Sequence, residues 1–127
     1  TLVYAFDPID PAKQHIAHTL LRSAAKDGAV LSTQVLTETY NVLVTKLRID
    51  PLVVREAIRS ASRMEVVAMS PDLVMQAIDC SITDRISIWD AGIVVAAAAA
   101  CCVELLTEDL NHGQVIRGVR VTNPFRT

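Results

Sequence analysis

The chain has 127 residues, the length of one domain, and its 51% hydrophobic and 4% aromatic content predicts an aliphatic core. Its formal net charge of −2 excludes a protein that coats nucleic acid by bulk attraction and leaves room only for a local basic patch. The longest uncharged apolar run, residues 91–103, is shorter than the roughly 20 residues of a membrane helix. The opening residues do not read as a charged leader with a cleavage site, and Cys80, Cys101 and Cys102 lack disulfide-framework or zinc spacing. The expectation is one soluble, cytoplasmic domain over residues 1–127, away from membranes, whose cysteines serve as small packing residues.

Residues 1–6 form an apolar hexamer that fits a strand or a helical turn. Asp7-Pro8-Ile9-Asp10-Pro11 is a turn, with Asp10 placed to cap and Pro11 at the first helical position. The helix that follows runs to about residue 26 and gathers Ile16, Ala17, Leu20, Leu21 and Ala24 on one face, with His15 and His18 beside it as surface residues. Asp27-Gly28 closes it, and residues 29–31 are short and fully apolar, as in a central parallel strand. Ser32 caps a helix to about residue 48 that turns Val35, Leu36, Tyr40, Leu43 and Leu47 inward. Glu38 falls inside that apolar set, where a carboxylate is costly unless paired, solvated in a cleft or bound to a metal.

Asp50-Pro51 opens another helix, to about residue 63, along which Arg55, Arg59 and Arg63 recur every four residues as a basic stripe. Residues 66–68 read as a strand. Ser70 then caps a helix with Leu73, Val74, Ala77 and Ile78 inward, and Asp79 and Asp84 read as solvated helix acids in preference to extra ligands. Asp90 stands at the start of the uncharged run, which reads as a buried helix feeding a buried strand, with Asp109 just beyond it. Asp90 suits either a helix cap or a site acid, and Asp109 either a turn or a site acid. Residues 110–118 read as a loop in which His112 has no obvious partner, and residues 119–122 as a last strand. Helices alternating with short apolar strands predict an α/β sandwich with a parallel sheet.

Glu38, Asp90 and Asp109 each lie on a connection that a parallel α/β arrangement brings to one sheet edge. Three crowded acids repel one another unless a cation neutralises them, and oxygen ligands suit Mg²⁺ or Mn²⁺. A water made nucleophilic by such an ion, together with charge neutralisation on phosphoryl oxygens, suits phosphodiester hydrolysis. Thr107, two residues before Asp109, is placed to orient that carboxylate or a water by a hydroxyl hydrogen bond. No Gly-rich phosphate loop and no paired nucleophile competes with this reading.

The segments Val3-Tyr4-Ala5-Phe6-Asp7-Pro8, Leu31-Ser32-Thr33-Gln34-Val35-Leu36-Thr37-Glu38, Trp89-Asp90-Ala91-Gly92-Ile93-Val94, Leu106-Thr107-Glu108-Asp109-Leu110, Gly113-Gln114-Val115-Ile116 and Asn123-Pro124-Phe125 resemble, in order, the PIN-domain family. Within it they are most similar to VapC-type toxins of bacterial toxin–antitoxin pairs. The resemblance implies a three-layer α/β sandwich around a central parallel sheet and a Mg²⁺- or Mn²⁺-dependent endoribonuclease. It puts Glu38, Asp90 and Asp109 at three metal-binding acid positions, Thr107 at a frequent hydroxyl position and Glu108 at a weaker fourth contact. It further implies a cognate antitoxin that blocks the site and a homodimer. The stripe of Arg55, Arg59 and Arg63, by its spacing alone, is either a solvated helix face or a contact for the RNA backbone that adds affinity with little sequence choice.

The departure lies at the front, where family members have a strand ending in Asp-x-Asn that supplies the first acid. This sequence shows neither, so the expectation is an N-terminally incomplete PIN-like domain in which residues 1–6 become a first helical segment. Asp7 is a distant substitute for the first acid. Two other readings stay open: a catalytically impaired module that docks a basic antitoxin segment, and a PIN nuclease of RNA maturation or repair outside a toxin pair.

Overall fold

Ser32 ends a strand and starts a helix, and this compact strand-to-helix junction opens the part of the fold described by the computed structural model, residues 30–107 and 110–123. Expectations that fall on Asp7, His15, His18, Glu108, Asp109, the first helix and Pro124-Phe125 lie outside the described residues. The described part is mixed α/β, with four helices and two small sheets. Its elements in order are β1 (Val30–Ser32), α1 (Thr33–Thr45), α2 (Pro51–Ala61), β2 (Glu65–Val67), α3 (Pro71–Asp84), α4 (Ile88–Ala99), β3 (Glu104–Leu106), β4 (Val115–Ile116) and β5 (Val119–Thr122). The chain divides into two compact units, one ending at Val66 and the other beginning at Val67.

In the first unit the Ser32 hydroxyl accepts from the Val35 N–H at 3.2 Å, satisfying one of the free donors that begin α1. The buried arc of α1 is Thr39 and Leu43, the latter 0% exposed, with Val35 half-buried one turn earlier. Tyr40, expected inward, is 40% exposed, because a step of about 100° carries it off that arc. The helix also ends three residues early. Arg48 takes a left-handed conformation (φ 55°), and the Ile49 N–H returns to the Leu43 carbonyl. α2 begins as expected, with Asp50 Oδ1 accepting from the Leu52 N–H at 2.9 Å and Pro51 in the first turn; it packs against α1, and Val54 is its buried residue. It stops at Ala61, so Arg63 lies beyond the helix and the basic stripe shortens to Arg55 and Arg59. β1 pairs with β2.

Among the described residues of the second unit, a core cluster forms where Ala77 and Cys80 of α3, Ala91, Val94 and Val95 of α4, and Ile116 of β4 meet, with Leu105 and Leu110 against them. The small residues of α3 and α4 allow these helices to pack closely. Val74 and Ile78, expected inward, are partly exposed, and Cys80 takes the buried place one turn after Ala77. α4 is buried through Ala96, but it ends at Ala99 rather than continuing through the cysteines. The Cys102 N–H bonds to the Ala97 carbonyl and the Cys101 N–H to the Ala98 carbonyl, while Cys101 is left-handed (φ 59°), the full set of a Schellman stop. Cys101 is therefore exposed, and Val103 is 78% exposed. An uncharged alanine run signals low polarity, which alanine tolerates at the surface as well as in the core.

The second sheet has strand order β3-β5-β4. β3 and β5 are parallel, as the sequence predicts, and Leu105 stands opposite Val121. β4 corrects the parallel-only expectation: it lies within the expected loop and runs antiparallel to β5. The tight turn between them uses Arg117 and Gly118, both at positive φ (51° and 79°), the geometry that two-residue hairpins favour. Among the described residues no helix is long and apolar enough to cross a membrane.

Candidate functional site

The sequence alone leaves open whether Asp90 caps its helix. The structure gives that duty to Ser87, whose hydroxyl accepts from the Asp90 N–H at 3.1 Å. Asp90 is the third residue of α4, and its half-buried carboxylate accepts no hydrogen bond from the described residues. A carboxylate there benefits from the positive end of the helix dipole while its oxygens stay uncommitted. The serine three residues before Asp90 is a legible sequence signal for the cap itself.

Glu38 sits on the second turn of α1 in the first unit and is half-buried. Gln34 Nε2, one turn earlier, donates to its Oε1 at 3.1 Å, and the other carboxylate oxygen takes no hydrogen bond from the described residues. The side-chain amide restrains the carboxylate without neutralising it. Thr107 follows β3 in the second unit, half-buried, with its N–H held by the Thr122 carbonyl at 3.0 Å. Asp109 lies outside the described residues.

Among the described residues no three His, Cys, Asp or Glu side chains stand together as a metal-holding group. The candidate donors are nonetheless all carboxylate oxygens, the chemistry that suits a hard divalent cation, and the two described ones each keep an unengaged oxygen.

The basic candidates divide. Arg55 and Arg59 are exposed on α2, Arg59 in a surface pair with Glu56 at 3.7 Å, and Arg63 is exposed beyond the helix end. Arg55 also lines an open cleft of about 310 Å³ with Leu36, Thr37, Tyr40 and Ile58. No candidate carboxylate lines that cleft.

Two features escaped sequence reasoning. His112 has a partner, since the Asn123 N–H donates to its Nδ1 at 3.0 Å. Asp84 is half-buried rather than fully solvated, and the Cys80 thiol donates to its Oδ2 at 3.4 Å. Burial pushes the Cys80 thiol up, the Asp84 carboxylate adds to the rise, and the Arg117 guanidinium opposes it. A neutral, buried thiol is a packing group and not a nucleophile. No family model matches the chain, and no curated protein matches it either.

Proposed function

We propose that this protein is a metal-dependent endoribonuclease of PIN-like three-layer fold, the toxin of a type II toxin–antitoxin pair, with Glu38, Asp90 and Asp109 as ligands for Mg²⁺ or Mn²⁺. The main support is Asp90. It is a half-buried carboxylate at a helix N-terminus, relieved of capping by Ser87 and engaged with no described donor. Glu38, restrained by Gln34 on one oxygen only, adds to it.

In this reading the acids bind the cation and fix its place against the RNA backbone. The bound ion supplies a more acidic water and neutralises charge on the phosphoryl oxygens. Thr107 orients the neighbouring acid through its hydroxyl. Arg55 and Arg59 hold backbone phosphates, giving affinity with little sequence choice, and Arg63 assists from beyond the helix. The protein acts in the cytoplasm and is silenced by an antitoxin that covers the acids. It pairs with a second copy of itself, a reading supported by the exposed apolar Val74, Met75, Ile78 and Ile82 of α3 and Trp89 of α4.

The test is cleavage of a mixed RNA by the full-length protein with Mn²⁺ and with chelator. Cleavage that needs Mn²⁺ and disappears in the Asp90→Asn variant supports the proposal. Cleavage that survives chelator or the substitution refutes it, as does absence of cleavage with Mn²⁺ present.

A further inference from the structure

The cleft that Arg55 shares with Leu36, Thr37, Tyr40 and Ile58 lies wholly within the first unit and is lined by one turn of α1 and one turn of α2. Leu36 and Tyr40 stand four residues apart on α1, and Arg55 and Ile58 three apart on α2, so the opening runs about 6 Å along either helix. Its walls are apolar apart from a few side-chain tips. The Thr37 hydroxyl already donates to the Thr33 carbonyl at 2.9 Å. Tyr40 is 40% exposed, and its hydroxyl makes no hydrogen bond with a described residue. Arg55 is exposed and has no ion pair among the described residues, whereas Arg59, one turn on, is paired with Glu56.

Size and charge narrow the occupant. An amphipathic helix docks through anchors at i, i+4 and i+7, which span about 10 Å and outrun this opening. A volume of about 310 Å³ instead suits one small planar group. An exposed aromatic ring with an unpaired guanidinium in the same cleft matches a flat π-system that carries an anion. A nucleotide joins the two, a base to stack on the ring and a phosphate for the arginine.

We propose that this cleft binds one unstacked nucleotide of single-stranded RNA, its base against Tyr40, Leu36 and Ile58 and its phosphate on Arg55. The inference rests on the ribonuclease reading above in taking RNA as the ligand. Leu36 and Tyr40 each stand two residues from Glu38, a rotation of about 200° around α1, so the cleft and that carboxylate lie on opposite sides of the helix. The nucleotide in the cleft is therefore one that anchors the strand and not the one at Glu38. Stacking accepts every base, so purines and pyrimidines are held alike.

The experiment measures binding of a short, fluorescently labelled single-stranded RNA to the full-length protein by anisotropy, with chelator present so that no divalent ion takes part. The variants are Tyr40→Phe, Tyr40→Leu and Arg55→Gln, and the competitors are a mononucleotide and an acidic Glu/Leu helical peptide. The expected result is roughly tenfold weaker binding in Tyr40→Leu, near wild-type binding in Tyr40→Phe, and weaker binding with a shallower salt dependence in Arg55→Gln.

Wild-type affinity in Tyr40→Leu, or equal losses in Tyr40→Leu and Tyr40→Phe, overturns the cleft assignment. A mononucleotide that binds as tightly as the RNA makes the occupant a free nucleotide and overturns the assignment to RNA, and uptake of the acidic peptide without RNA binding overturns it in favour of a protein partner. Tyr40-dependent RNA binding in a protein that fails to cleave with Mn²⁺ upholds the cleft while refuting the nuclease reading.

Discussion

Ser87 and Asp90 stand three residues apart at one helix end, and the structure predicts opposite consequences for changing them. Ser87→Ala removes the oxygen that holds the Asp90 N–H, a bond of 3.1 Å, and leaves that donor without its cap. Loss of such a cap costs about 1 kcal/mol. Asp90→Asn keeps the cap and removes only the favourable charge–dipole interaction, worth about 0.5 kcal/mol. The gain from burying an amide instead of a half-buried charge partly offsets even that. Urea denaturation followed by circular dichroism reads both, with the slope of the transition checked for constancy.

Activity should reverse the order. Ser87→Ala should cleave RNA within a few-fold of wild type, whereas Asp90→Asn should lose more than about a hundredfold, since even residues that only orient a ligand contribute roughly 10–100-fold. Greater destabilisation by Asp90→Asn than by Ser87→Ala would make Asp90 a structural residue and refute the reasoning.

Cys101 holds the left-handed position of a helix stop that usually takes glycine. Cys101→Gly should therefore raise stability by about 0.5 kcal/mol, the net of relieved Cβ strain and added freedom in the unfolded chain, and a lower denaturation midpoint would contradict this. Leu43, fully buried in the first unit, should cost about 3 kcal/mol when cut to alanine, and a loss under 1 kcal/mol would show that its surroundings collapse onto the gap. Cys80, kept neutral by burial and Asp84, should contribute stability at neutral pH that is lost as pH climbs above the ordinary thiol range, because the unfolded chain ionises first. Cys80→Ala should flatten that alkaline decline, and an identical pH profile would argue against it. Brief iodoacetamide treatment of the native protein should modify Cys101 before Cys80, as read by peptide mass spectrometry.

Local signals in the chain were legible where the physics is local. Ser32, Ser70 and Asp50-Pro51 start helices because a side-chain oxygen reaches a backbone N–H two or three residues on, a requirement met within one turn. The strand Val119–Thr122 alternates buried and exposed residues with the expected period of two. β4 was hidden because two residues carry no periodicity, and its turn uses Arg117 where an asparagine or aspartate would have announced a hairpin. The end of α4 was hidden because Cys101 stands where glycine would have marked the stop.

The site was legible in a similar, partial way. Asp90 and Glu38 are conspicuous acids beside apolar residues, but which oxygens remain uncommitted depends on Ser87 and Gln34. The partner of His112 lies 11 residues away across a strand end, beyond the reach of any local pattern.

The proposed function requires Glu38, Asp90 and Asp109 to bind a single cation. Calorimetric titration of the full-length protein with Mn²⁺, beside Glu38→Gln, Asp90→Asn and Asp109→Asn, tests it most directly. One site per chain is expected, lost or severely weakened in each variant whose fold is unchanged by circular dichroism. Wild-type affinity in any of the three, or no uptake by the unaltered protein, would contradict it.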